Sequence, residues 1–370
     1  MNEIKHDIKN VIKNFCVAGE YERAEPYGNG HINDTYAVNF INGRVKINGA
    51  PDTEIPVERV LMQRINQFVF KDPEKLMENV EKVTRFLKDK IVAKGGDYLR
   101  ETLNLIPSLE NKSFYKDTDG NYWRVYLFIE NCNSYETVSS GRFMYSAGRA
   151  FGNFQKLLSD FPAEILHESI PNFHHTPKRY DTFIESLAAD KFNRAKDVQP
   201  EIDFIKQRET DTHIIQNLIE SGEMPLRVTH NDTKINNVMF DKETNEPVCV
   251  VDLDTIMPGS MLFDFGDSVR FGANPAAEDE RDLSIVNFKK EYYDEYKNGF
   301  LEELGKSATD KEKQLLPVGA KLMTLENGIR FLTDYLNGDV YFKTHRPGQN
   351  LDRARTQLKL VSDMEKIFNI

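Results

Sequence analysis

The segment RVTHNDTKINNVMFD, Arg227 to Asp241, sets His230, Asp232, Lys234, Asn236 and Asn237 between two apolar flanks. VCVVDLDT follows and adds Asp252 and Asp254. A turn needs one Asn or Gly, so taken singly Asn231 and Thr233 read as caps of backbone groups. Taken together, His-x-Asp-x-x-x-x-Asn, an apolar strand, a turn and a second apolar strand ending Asp-x-Asp exceed what a turn requires. Carboxylates and an amide oxygen form a hard donor set of the kind that holds Mg²⁺, which takes one or two carboxylates and completes its shell with water and phosphate oxygens. A further carboxylate to orient a hydroxyl makes up the parts of a phosphoryl-transfer site. Folding as a hairpin would bring these residues together. The expected strands are 238–240 and 247–255 around the turn DKETNE, and strand alternation would point Asp252 and Asp254 the same way.

The elements that must position this hairpin fall into two parts. Residues 3–17 carry Ile4, Ile8, Ile12 and Phe15 on one helical face. Strand-like segments then flank Gly28-Asn29-Gly30, residues 41–56 read as a long hairpin tip or surface insertion, and 57–66 as a strand. Leu76, Val80, Val83 and Leu87 place a helix over 73–90. A hairpin turned at Asp119-Gly120 leads into a buried strand over 122–129. NCNSYETVSSG is polar, and beyond it the chain reads as helical, with Phe143, Ala147, Ala150, Phe151, Phe154 and Leu158 on one face. Strands return only at 226–254, and roughly 280–370 is again helical. The organisation expected is a small β-rich part, 1–130, and a larger, mainly helical part, 131–370, holding one embedded hairpin.

Composition narrows the function classes. The chain has 370 residues, 39% of them hydrophobic and 29% charged, with a formal net charge of -11. That charge, without a Lys/Arg-rich block, argues against nucleic acid as a partner. It leaves room for a phosphate ligand in a locally positive pocket. Cys16, Cys132 and Cys249 are far apart and suggest neither a disulfide framework nor a zinc site. The opening MNEIKHDIKNVIKNF has no signal-peptide core, and no apolar run approaches the ~20 residues of a membrane span. The expectation is a cytoplasmic protein with no membrane partner, a monomer or weak dimer.

HNDTKINN followed by VVDLDT resembles the catalytic loop and metal-binding segment of the aminoglycoside phosphotransferase and choline kinase family, the kinase-like small-molecule kinases. Within it, PYGNGHIN, GNYWRVYLFIE, AGRAFGNFQ, LRVTHNDTKINN, DLDTIMPGSMLFDFGDSVRFGA and GIRFLTDYLNGDVYF are similar to the bacterial N-acetylhexosamine 1-kinases. These blocks run from about 26 to 360, while about 41–59 has no counterpart. The resemblance implies an α+β, bilobal protein-kinase-like fold, with a nucleotide-binding N-terminal lobe and a catalytic, sugar-binding C-terminal lobe. It implies ATP and Mg²⁺ as cofactors, and transfer to the anomeric hydroxyl of GlcNAc or GalNAc. Asp232 would accept the proton of that hydroxyl; Asn237 and Asp252 would hold the metal, with Asp254 a candidate further partner. His230 would shape the loop. Asp264-Phe265-Gly266 spells the protein-kinase metal motif but comes too late in the chain, and in this family the later Asp braces the catalytic loop. Related kinases of other sugars, choline or homoserine are the alternatives, and a nucleotide-binding pseudokinase is a third.

On the nucleotide side, Gly28, Asn29 and Gly30 lie where a glycine-rich loop would cover phosphates, although a hairpin turn explains them equally well. A kinase-type lysine is expected near position 63, yet the chain has Gln63, which can hydrogen-bond a phosphate without neutralising it. Glu81 is the matching acidic position on the following helix. Adenine would meet the backbone near Ile129 and Glu130. For the acceptor, the resemblance points to His31, Phe271, Arg330 and Tyr341. From the residues alone, Arg330 is either a solvated helix charge or a cleft residue, and Phe271 and Tyr341 could equally be packing. Lys234 is a candidate positive partner for the phosphates.

Overall fold

The computed structural model describes residues 6–28, 32–49, 54–138 and 140–370. In chain order the strands are β1 (Val17–Pro26), β2 (Asp34–Val45), β3 (Ile55–Arg64), β4 (Leu105–Ile106), β5 (Tyr115–Lys116), β6 (Tyr122–Leu127), β7 (Cys132–Asn133), β8 (Arg227–Thr229), β9 (Val238–Asp241), β10 (Pro247–Val250) and β11 (Met257–Gly259). The longer helices are α1 (Pro73–Ala93), α2 (Gly141–Leu157), α3 (Thr176–Ala189), α4 (Met261–Gly272), α5 (Lys290–Leu304), α6 (Leu316–Leu336) and α7 (Gln349–Phe368). The chain forms two compact units. One comprises Met1–Asn133, Ile165–Ile170 and Met239–Ile256, the other Ser134–Glu164, Pro171–Val238 and Met257–Ile370.

In the first unit an antiparallel sheet runs β1-β2-β3-β6-β4, with β5 also paired to β6. Alternation gives it two different faces. Tyr36, Val38, Val60, Met62, Trp123 and Val125 lie on one, where Ile8, Ile12 and Phe15 cover them. On the other face Thr35, Gln63 and Arg124 stand opposite one another across β2, β3 and β6. Helix α1 begins where Asp72 accepts the N–H of Lys75 at 3.2 Å and Pro73 occupies the first turn. It buries the expected stripe, Leu76, Val80, Val83 and Leu87. The hairpin turn falls as expected at Gly120, φ +83°, with Asp117 accepting the N–H groups of Asp119 and Asn121. Of the expected N-terminal helical stretch, residues 3–5 lie outside the described residues; the remainder is one helical turn at Ile8–Val11 and a tight turn at Ile12–Asn14, ended before β1 begins at Val17. β2 and β3 pair as a hairpin with Val45 opposite Ile55, so its strands take the two ends of the 41–56 stretch, 41–45 and 55–56, and its tip lies between them. Strands β10, β9 and β7 form a second sheet of this unit.

The second unit is built of helices around the short β8–β11 ribbon. Helix α6 is buried along most of its length, against α3, α4 and α7. Helices α2 and α5 approach closely enough that a Cβ at Gly148 would lie 2.3 Å from the Tyr296 carbonyl oxygen, and one at Gly152 2.4 Å from that of Phe300. Gly299 meets the Tyr145 carbonyl oxygen in the same way, at 2.1 Å. The apolar face predicted for 143–158 is therefore interleaved with glycines that set the backbone separation. The two architectures, an antiparallel sheet unit and a helical unit, make the α+β class expected from the sequence. Among the described residues no helix is long and apolar enough to cross a membrane.

Candidate active site

In the second unit the loop after β8 is held by helix α4. Ser260 starts that helix by accepting the Leu262 N–H at 3.2 Å, and Asp264 and Asp267 lie on the same face one turn apart. Asp264 Oδ1 accepts the N–H of Asn231 at 2.8 Å, and its Oδ2 accepts those of His230 at 2.9 Å and of the Gln155 amide at 2.6 Å. Asp267 Oδ2 accepts the Thr233 N–H at 2.9 Å, and the Thr233 hydroxyl donates to the Asp264 carbonyl at 2.6 Å. Asn231 takes the left-handed backbone, φ +64°, which Asn tolerates better than most residues. Asp264 is thus the loop's brace, as the resemblance implied. Burial pushes its carboxyl up, against the pull of His230 and of the two backbone donors. His230 is fully buried, packed edge-on to Phe151 and Phe154, and its Nδ1 accepts the Asp232 N–H at 3.3 Å. That is a shaping role.

This frame leaves the Asp232 side chain 28% exposed, with Lys234 Nζ 3.0 Å from Oδ1. Asn237 donates both to the Asp232 carbonyl at 2.8 Å and to Oδ2 at 3.2 Å. Burial would raise the Asp232 carboxyl, but Lys234 beside it outweighs this and holds it below the ordinary carboxylate range. Asp232 in turn raises the Lys234 ammonium, assisted by Asp267 and Glu278. Both groups are charged at neutral pH, and the carboxylate is the one positioned to take a proton. Asn237 spends its amide hydrogens on Asp232, so its Oδ1 is the atom suited to a hard cation. Arg270, buried against Asp267 Oδ1 at 2.8 Å and Glu278 at 2.8 Å, completes the charge balance behind the loop. Asp267 and Arg270 were not identified from the sequence. Their spacing in DSVR was the only signal, and it reads equally as ordinary helix polarity.

In the first unit the strand expected over 247–255 stops at Val250. Asp252 takes the left-handed backbone, φ +61° and ψ +61°, and a tight turn follows over Leu253–Thr255. The expectation that Asp252 and Asp254 point the same way is corrected: Asp252 is exposed and Asp254 is buried. A left-handed aspartate costs roughly 1 kcal/mol. Arg124 Nη1 sits 2.5 Å from Asp254 Oδ1, a charge contact off hydrogen-bond direction, and Asn33 donates to Oδ2 at 2.6 Å. Burial works against the Arg124 charge, but Asp254 beside it, with Tyr126 and Asp252 near, keeps the guanidinium above its ordinary value. An outward carboxylate on a rigid turn is a suitable donor for a divalent cation.

Gln63, at the position where a lysine was expected, has both amide ends engaged. It donates to Thr35 Oγ1 at 3.0 Å and accepts from Arg124 Nε at 3.0 Å. Glu81 turns instead to Arg85 at 2.6 Å and Asn48 at 3.0 Å. Gly28 has φ +75°, while Asn29, Gly30 and His31 lie outside the described residues. Tyr27 packs edge-on against Phe128 at 5.1 Å, and Arg59 lies over the Phe128 ring at 3.8 Å while its fork grips Glu130 at 2.9 and 2.7 Å. Ile129 between them is buried. The glycine-loop start and the expected adenine segment are thereby brought together.

Back in the second unit, Arg330 of α6 lies 5.3 Å from the Phe173 ring and 5.5 Å from that of Phe342, against which Tyr341 packs edge-on at 4.8 Å. Asp334 fixes this corner by accepting the N–H groups of Val340, Tyr341 and Phe342. His174 joins it to the loop after β8: Nε2 is 3.1 Å from the Asn231 carbonyl, Nδ1 is 2.7 Å from Glu326, and its ring tilts onto Phe173 at 4.5 Å. Burial lowers the Arg179 guanidinium, and the neighbouring charge of Arg330 lowers it further. Phe271 is half-buried near the end of α4, and nothing described ties it to this cluster. Phe173, His174, Arg179 and Glu326 had no motif to mark them.

Several solved structures share the fold. Amicoumacin kinase in complex with AMP-PNP, Ca²⁺ and Ami aligns with a TM-score of 0.59 at 11% identity, covering 96% of this chain and 94% of that one. An aminoglycoside phosphotransferase from Alicyclobacillus acidocaldarius aligns with 0.62 at 9% identity, covering 100% and 98%. Choline kinase from Cryptosporidium parvum Iowa II aligns with 0.56 at 13% identity, covering 98% and 95%. All are kinase-like phosphotransferases, which gives the α+β units their fold type. A family model described as the phosphotransferase enzyme family matches residues 62–297, from β3 through α5. The chain belongs to the phosphotransferase enzyme family, enzymes that move a phosphoryl group to the hydroxyl of a small molecule.

Proposed function

We propose that this phosphotransferase uses ATP and Mg²⁺ to phosphorylate the anomeric hydroxyl of an N-acetylhexosamine, GlcNAc or GalNAc, giving the sugar 1-phosphate. Asp232 receives the proton of the attacking hydroxyl and orients it, the main task in a reaction that asks for little covalent chemistry. Asn237 and Asp252 are the residues assigned to the cation, one through its unspent amide oxygen and the other through an outward carboxylate. Held by these two residues, a divalent cation would supply positive charge against the nucleotide phosphates. Backbone groups from Gly28 to Gly30 and near Ile129 and Glu130, with Gln63, are assigned to the nucleotide. His31, Phe271, Arg330 and Tyr341 are assigned to the sugar.

The observation that carries the choice of acceptor is the neighbourhood of Arg330. Among the described residues no carboxylate lies within ion-pairing distance of it, aromatic rings flank it, and Arg179 adds a second guanidinium nearby. The buried Glu326 carboxylate offsets part of this charge, and the two guanidiniums remain donors that the hydroxyls and acetamide of a neutral sugar can accept, with aromatic rings beside them as a stacking face. The anomeric hydroxyl is also more acidic than an ordinary alcohol, which eases the demand on Asp232. A pseudokinase reading has no support in a loop that keeps Asp232, Lys234 and Asn237 in mutual contact.

The test is a panel of free GlcNAc, GalNAc, other hexoses, choline and homoserine with ATP and Mg²⁺, following ADP release and locating the phosphate by ³¹P NMR. Phosphate at C1 of an N-acetylhexosamine is the expected result. ADP release with another alcohol, and none with N-acetylhexosamines, would keep the family and overturn the substrate.

A further inference from the structure

Within the first unit, the polar face of the main sheet carries one continuous row of side chains. Thr35, Gln63 and Arg124 stand in register on three adjacent strands. The hydrogen-bond chain is continuous: Arg124 Nε to Gln63 Oε1 at 3.0 Å, then Gln63 Nε2 to Thr35 Oγ1 at 3.0 Å. At its other end Arg124 Nη1 reaches Asp254 Oδ1 at 2.5 Å, both side chains almost wholly buried, 1% and 5% exposed. Asn33 holds the second oxygen of Asp254 at 2.6 Å and is itself fixed by the N–H of Asn66 at 3.0 Å. Asp254 is clamped at both oxygens, two residues after Asp252.

We propose that Arg124 is the positioning residue for Asp252, placing on β6 the fixed positive charge for which β3 offers only Gln63. A guanidinium suits this task because it stays charged when buried and can give Nε to Gln63 while Nη1 faces Asp254. Gln63 orients it from behind, and a lysine at 63 would set a second cation against Arg124. With Asp254 held inward, the backbone between Val250 and Asp254 must reverse, and it does so through the left-handed Asp252. The carboxylate is left facing outward on a turn whose next anchor cannot move. Arg124 is too deeply buried to touch a nucleotide, so it acts through Asp254 and the turn. The ring of Tyr126, 5.2 Å from the guanidinium, closes the other side.

The inference rests on the reading of Asp252 as the cation residue, and calorimetry separates the two. AMP-PNP is titrated into the full chain with and without Mg²⁺, for wild type, Asp252→Asn, Arg124→Lys and the double variant Arg124→Met with Asp254→Asn. The double variant removes both buried charges together, which keeps the folding cost small, and circular dichroism melting confirms that it folds. Loss of an outer partner of a metal residue weakens metal binding about 10- to 100-fold. The expected result is therefore about a tenfold loss of Mg²⁺-dependent affinity in the double variant, a smaller loss in Arg124→Lys, and metal-free affinity within about threefold of wild type. Should the double variant fail to fold, Arg124→Lys carries the test alone. If Asp252→Asn loses the Mg²⁺ dependence while the folded Arg124 variants keep it, the positioning role is overturned and the metal assignment stands. If Asp252→Asn keeps the dependence, the metal assignment and the inference fall together.

Discussion

Asp264 accepts the backbone N–H of Asn231 at 2.8 Å from within a helix that is buried along nearly its whole length, so the loop that carries Asp232 is shaped by a carboxylate 33 residues after Asn231. The same carboxyl also takes the N–H of His230 and the Gln155 amide. Asp264→Ala would leave these donors unpaired in the interior. It should destabilise the protein by about 3 kcal/mol or more, read by urea unfolding. Asp264→Asn should fold better than Asp264→Ala yet lose turnover, because an amide cannot accept from all three donors at once.

Asp232→Asn preserves shape and removes the proton acceptor. Turnover should fall by about 10²- to 10⁴-fold while Mg·AMP-PNP affinity stays within about threefold. Steady-state kinetics with matched calorimetry measures both, and unchanged turnover would sink the role given to Asp232.

The pH dependence follows from Lys234. Asp232 titrates below its ordinary value in the folded protein. Its charge therefore supports the fold above the unfolded carboxyl pKa, and that support is lost as pH falls through the lowered folded value. The acid limb of kcat/KM attributable to Asp232 should accordingly lie below the ordinary carboxylate range. Lys234→Met removes the main lowering influence, so this limb should move to higher pH; a profile that stays in place would show that Lys234 does not control Asp232.

Arg330→Leu should raise the acceptor KM by about tenfold and leave the ATP KM within about twofold, since the side chain is placed with Phe173 and Phe342 rather than with the nucleotide residues. Initial rates with each substrate varied in turn decide it, and a selective rise in the ATP KM would contradict the assignment.

Gly152→Val tests the α2–α5 packing apart from chemistry. A Cβ there would lie 2.4 Å from the Phe300 carbonyl oxygen, with backbone rather than a flexible side chain in the way. The helices must separate, costing about 1–3 kcal/mol. A melting temperature equal to wild type would show that this contact is not as close as described.

The sequence alone carried the composition of the loop and the periodicity of its surroundings. Alternation marked β3, the Asp119-Gly120 turn marked β6, a 3.6-residue stripe marked α1, and the spacing of His230, Asp232 and Asn237 pointed to phosphoryl-transfer chemistry, because these signals are local and each residue type has few other uses at that spacing. Two kinds of fact depended on the tertiary fold. One is the direction of a side chain where regular structure ends: alternation put Asp252 and Asp254 on one side, but Arg124 pulls Asp254 inward and forces a left-handed turn that no strand rule anticipates. The other is partnership across long chain separations. Gln63 looked like a vacancy for a lysine until the pairing of β3 with β6 set Arg124 beside it. Asp264 looked like a misplaced metal motif until α4 brought it under the loop. Hydrogen bonds and ion pairs act over a few ångströms of space, and only folding decides which distant residues those ångströms contain.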